Sequence, residues 1–104
     1  MDKWLSRARR KDYNCANLAS EVLECPLDSL TGAVGTRTDW QRLSAPQAPC
    51  LAVLRRNSAP PHVGIYLQGG VLHLSDKTAL FQPLHVIQRD YNKIRYYARR
   101  NNNN

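Results

Sequence analysis

The 104-residue chain predicts an α+β domain with an antiparallel sheet of about five strands. Three observations predict it. Cys15, Leu18, Ala19, Val22 and Leu23 recur at the spacing of one helix face near the N-terminus. The second half changes to short apolar runs separated by turn residues, which is the pattern of strands. Between two of those runs stands Gln68-Gly69-Gly70, a turn signal that folds neighbouring strands back on each other.

Taken in order, residues 2–11 read as a short helix or arm with Trp4 and Leu5 as its only apolar anchors. From Asn14 to Glu24 the period is helical, with Asn14 as N-cap and Pro26 as stop. Cys15 then falls in the first turn, on the core-facing side. Residues 26–49 form a long connection with one helical turn around Trp40-Gln41-Arg42-Leu43, because Gly32, Gly35, Pro46 and Pro49 break any longer period. A connection of that length in so small a domain is often functional. Cys50–Leu54 is a strand ended by Arg55-Arg56-Asn57-Ser58, and Pro60-Pro61 stiffens the approach to the strand His62–Leu67. Val71–Leu74 returns as its hairpin partner. Leu80–Ile87 and Ile94–Ala98 complete the set, with Pro83 confining the former to an edge or a bulge. Asn101–Asn104 reads as a disordered low-complexity tail, which leaves a single domain over residues 1–100.

Composition narrows the classes. Hydrophobic residues make up 42% of the chain, within the globular range. No apolar run approaches the roughly 18–20 residues of a membrane span. The start, Met1-Asp2-Lys3-Trp4-Leu5-Ser6-Arg7, has no apolar signal-peptide segment, so synthesis is expected in a cytoplasm. Three cysteines without a CxxC pair argue against a disulfide scaffold and a cysteine-rich zinc module. The net charge of +7 favours anionic partners such as nucleic acid, a membrane surface or cell-wall polymer. A merely solvated surface explains it equally well. The arginines are scattered and no aromatic-basic reading motif is present, so no nucleic-acid partner is expected.

Chemistry concentrates on Cys15, His62 and His73. A thiolate is the attacking form of cysteine, and the free N–H groups and dipole of a helix N-terminus stabilise it. The bland reading is a buried thiol acting as a small hydrophobe. The histidines bear on that choice. A two-residue loop at Gln68-Gly69 pairs Leu67 with Gly70 and Gly64 with His73, placing His62 one diagonal step from His73 on the same face. Gly64 would leave room for His73 to lean toward His62. A loop at Gly69-Gly70 keeps both on one face but farther apart, and a three-residue loop separates them onto opposite faces. One imidazole can then pair with the thiol while the second holds it in the right tautomer, and the Cys15 N–H can contribute to an oxyanion hole. His85 reads as a surface residue on a strand, and Cys25 and Cys50 as packing residues. A zinc site of Cys15, His62 and His73 uses permitted ligands but lacks paired-ligand spacing.

At these residues the chain resembles the NlpC-type papain-like cysteine peptidases of bacterial cell walls, most of all their short phage and prophage tail-assembly branch. The segments that carry the resemblance are Tyr13-Asn14-Cys15-Ala16-Asn17-Leu18-Ala19, His62-Val63-Gly64-Ile65-Tyr66-Leu67 and Gly70-Val71-Leu72-His73. Pro49–Arg56 and Gln82-Pro83-Leu84 are also similar, and the likeness spans roughly residues 12–98. It implies a papain-like fold with the nucleophile-bearing helix packed against the sheet, Cys15 as nucleophile, His62 as base and His73 as the orienting third member. It further implies hydrolysis of cross-linking peptides in peptidoglycan, next to D-glutamate and diaminopimelate, with no metal or organic cofactor. Phage tail proteins are the further partners it suggests, and a virion tail acting in the host wall the place of action. The alternative is a tail-assembly protein that keeps the fold without turnover. Where the family often reads Asp-Cys-Ser-Gly, this chain has Asn14-Cys15-Ala16-Asn17, and Pro49-Cys50 replaces a common Gly-Asp before the first central strand. No substrate-binding residue is carried over.

Overall fold

The computed structural model describes residues 2–31 and 34–100. The expected tail Asn101–Asn104 and the expected breaker Gly32 lie outside the described residues. Three helices, α1 (Asp2–Leu5), α2 (Cys15–Leu23) and α3 (Leu84–Asp90), accompany six strands. The strands are β1 (Trp40–Leu43), β2 (Cys50–Arg55), β3 (His62–Leu67), β4 (Gly70–Leu74), β5 (Ala79–Pro83) and β6 (Lys93–Arg99). They form one sheet in the order β1-β6-β2-β3-β4-β5, and every neighbouring pair is antiparallel. The class is therefore α+β, as the sequence predicts, with six strands in place of about five. β2 to β5 run as a meander, and β6 returns to lie beside β2.

Two elements differ from expectation. Trp40–Leu43 is not a helical turn but the edge strand β1, paired with β6 through Trp40↔Arg99 and Leu43↔Tyr96. Four residues are too few to show a period, and the partner lies more than fifty residues downstream, so tertiary pairing decides. The buried Trp40 fixes the strand further by donating its indole N–H to the Ser29 carbonyl at 2.8 Å. In the second case, the expected strand over Leu80–Ile87 breaks at Pro83. β5 ends there on the sheet edge and α3 begins, with Pro83 at φ −57° as its N-cap. A proline cannot donate to the ladder but suits the start of a helix.

The helix over Cys15–Leu23 forms for the reasons its sequence offers. Asn14 Oδ1 accepts from the Ala16 and Asn17 amides, and the Asn17 side chain accepts from the Asn14 amide, a reciprocal capping box. Glu24 in the left-handed region ends it ahead of Pro26. α2 buries Leu18 and Ala19 against Leu51, Val63, Ile65, Leu72 and Leu74 on one face of the sheet. α3 covers the other face, burying Ile87 against Ala52, Leu54 and Val71. Residues 7–13 close the end of the sheet: Ala8 bridges Thr78, and Arg9 donates to the carbonyls of Leu74 and Ser75. Arg7 and Tyr13 both bond Glu21 on α2, tying that segment to the helix. Among the described residues no helix is long and apolar enough to cross a membrane.

Candidate active site

The hairpin determines where the histidines go. Gln68 and Gly69 adopt positive φ (51° and 76°), the backbone of a two-residue hairpin turn. The register that follows pairs Leu67 with Gly70 and Gly64 with His73. His62 pairs with Leu54, and Gly64 with Ala52, so both histidines share the face of Ala52, Leu54 and Val71 that α3 covers. Gly64 is required for this. A Cβ there would meet Val71 Cγ1 at 2.7 Å, the Leu72 carbonyl oxygen at 2.9 Å and His73 Cβ at 3.0 Å.

The imidazoles touch. His62 Nε2 lies 3.1 Å from His73 Nδ1, with the rings nearly perpendicular at 84° and centroids 5.2 Å apart. His73 is only 5% exposed, so its second nitrogen needs a partner, and Gln82 Oε1 stands 2.7 Å from Nε2. This contact orders the protons. A carbonyl oxygen can only accept, so His73 Nε2–H donates to Gln82. The neutral His73 then presents Nδ1 as an acceptor, His62 Nε2–H donates to it, and the lone pair is left on His62 Nδ1. Burial lowers the His62 pKa to about 4, with the nearby charges of His73, Arg9 and Arg56 adding to the shift. Burial also lowers that of His73, opposed by the Gln82 hydrogen bond and by Asp90. Both rings are neutral at neutral pH.

Around them lies an open cleft of about 410 Å³, whose lining includes Arg9, Arg56, His62, His73, Gln82 and Tyr91. Tyr91 lies parallel to His62, 9° from coplanar at 6.2 Å, and Arg56 sits 4.8 Å above the Tyr91 ring. The Arg56 Nε–H is tied to the Asp90 carbonyl at 2.9 Å.

Cys15 occupies the first turn of α2, half-buried against the core on the α2 face of the sheet. The Asn14 cap takes the amides of Ala16 and Asn17 and leaves that of Cys15 open. The structure does not complete the expected set. Cys15 is not part of the cleft lining, and among the described residues its sulfur makes no hydrogen bond to either imidazole. Nor do any three His, Cys, Asp or Glu side chains among the described residues converge as metal ligands would.

Cys25 and Cys50 are buried, and burial raises the Cys50 thiol pKa. His85 is exposed, but on α3 instead of a strand. Sequence reasoning gave no role to Gln82, Tyr91, Arg9 or Arg56. Gln82 follows from the register once β5 is known, because its partner Val71 shares the face of His73. Tyr91 and the arginines arrive from separate loops and leave no local signal. No family model, curated protein or solved structure matches the chain.

Proposed function

We propose that the protein is a thiol hydrolase in which Cys15 attacks a peptide carbonyl, His62 serves as base and acid, and His73 orients His62. One observation carries the reading: the His62–His73–Gln82 relay, which leaves the lone pair on His62 Nδ1, on a strand that the cysteine-bearing helix packs against. A lone surface pair of histidines would need no such ordering. In the reaction the Cys15 thiol passes its proton to His62 Nδ1 and its sulfur bonds to the carbonyl carbon. The amine leaves with that proton, and water then cleaves the thioester. The open Cys15 N–H is available to the developing oxyanion. For the first step, Cys15 Sγ must come within about 3–4 Å of His62 Nδ1, a tightening that free enzymes commonly leave to substrate binding. The resemblance to NlpC-type peptidases supplies the substrate class: cross-linking peptides of peptidoglycan, within a phage- or prophage-encoded tail.

The second reading is a tail-assembly protein that retains the fold without turnover. It is favoured by the separation of the sulfur from the imidazoles and by a His62 too weakly basic to hold a thiol proton firmly.

Purified murein and a diaminopimelate tetrapeptide, assayed together with iodoacetamide alkylation at near-neutral pH, separate the two. Hydrolysis is expected, with Cys15 modified at least ~10-fold faster than the buried Cys25 and Cys50. Uniformly slow alkylation without cleavage would hand the case to the structural reading.

A further inference from the structure

The sheet face that α2 covers at β3 and β4 carries a second feature where β1, β6 and β2 lie side by side. Arg42 pairs with Tyr97, Val53 with Arg95 and Arg55 with Lys93, so all of these side chains share the face that also holds buried Trp40. A pocket of about 310 Å³ opens there, bounded by Val53, Val63 and Tyr97 and by the cations Arg42, Arg55 and Arg95. Among the described residues no acidic side chain lines it and none of the three arginines is in an ion pair. Arg95 Nε is buried without any hydrogen-bond partner. A buried donor of a charged group left unpaired is costly, and three cations gathered without a counter-charge repel one another. An oxyanion relieves both at once.

We propose that this pocket binds a phosphate group, with Arg95 Nε–H as the inner donor and Arg42 and Arg55 closing from the rim. Three guanidinium charges exceed what one carboxylate neutralises, whereas phosphate offers several acceptor oxygens and matches the guanidinium fork. The pocket accommodates a phosphate carrying a small organic group. It lies across the sheet from His62 and His73, so the site stands independently of the hydrolase reading.

Inorganic phosphate titrated into the full chain at constant ionic strength, followed through the arginine Nε–H signals by NMR, tests it. A saturable shift of the Arg95 signal is expected. Arg42→Gln and Arg55→Gln, both at exposed positions, should each weaken binding about tenfold while leaving the rest of the spectrum unchanged. Arginine signals that drift together without saturation would overturn the proposal. So would affinity indifferent to both substitutions. Tight, steeply salt-dependent binding of a single-stranded oligonucleotide with no response to phosphate would also overturn it, in favour of a nucleic-acid surface.

Discussion

In the β3–β4 hairpin, His62 lies 3.1 Å from His73 and His73 lies 2.7 Å from Gln82, each ring held by the next partner. At the N-terminus of α2 the helix cap is equally complete, yet the Cys15 thiol carries no bond to either ring. The difference lies in what positions each group. The histidines sit on adjacent strands, where a two-residue turn fixes register and register fixes distance. The thiol is placed by the docking of a helix on the opposite face of the sheet, which no strand register governs. Strand pairing assembles the two imidazoles; helix packing alone sets where the thiol stands.

The most severe way to break this division is to remove one half at a time. If thiol and imidazole form one catalytic unit, Cys15→Ala and His62→Ala each lower kcat/KM on murein peptides by at least ~10³-fold, and the double variant loses no more than either alone. Additive losses would mean that the two halves never act together. Unchanged activity in Cys15→Ala would end its assignment as nucleophile.

Acid should strike the hairpin half before it strikes α2. The His62 pKa is lowered from an ordinary 6.5 to about 4 in the fold. Between those values the unfolded chain takes up a proton that the folded chain refuses, so protonation pulls toward unfolding. The stability is whole above pH 6.5 and falls as the pH drops toward 4, by at most ~3 kcal/mol. Urea unfolding of the wild type and of His62→Gln across that range isolates the effect, since carboxylates titrate alike in both. Parallel pH slopes would show that the ring is not held neutral.

How much was legible follows the same line. The capped helix, its apolar face and the hairpin turn are legible because each depends on residues close in sequence, whereas the turn signal leaves three registers open, of which the Gly64–His73 pairing is the one the fold adopts. β1 and α3 depart from the local pattern because a distant partner and a proline boundary outweigh it. Cys15, His62 and His73 could be singled out as residue types, but only the two connected by the hairpin could be given a distance. Gln82 stayed without a role because β5 follows a loop whose length does not declare its register.

Gly64 offers a finer cut. Alanine there must displace Val71, the Leu72 carbonyl or His73, and the strand ladder fixes the carbonyl. Gly64→Ala should therefore cost ~1–3 kcal/mol of stability in chemical denaturation and shift the His73 ring resonances, with those of α2 unmoved. A variant as stable as the wild type, with His73 undisturbed, would show that the close packing is not what brings the rings together.

Gln82 gives the smallest effect and the sharpest one. Its oxygen is what makes His73 Nε2 a donor and so leaves the His62 lone pair on Nδ1. Gln82→Leu removes the acceptor while keeping the bulk, so kcat should fall about tenfold with KM little changed. The ¹⁵N shifts of both imidazoles should report mixed tautomers. Gln82→Glu keeps the acceptor and adds a negative charge, which raises the proton affinity of His73 and, through it, of His62. The acid limb of the pH–rate profile then moves to higher pH, in the direction opposite to that caused by burial. A merely structural glutamine would lower stability in both variants and leave tautomers and pH profile where they were, and that pattern would remove Gln82 from the relay.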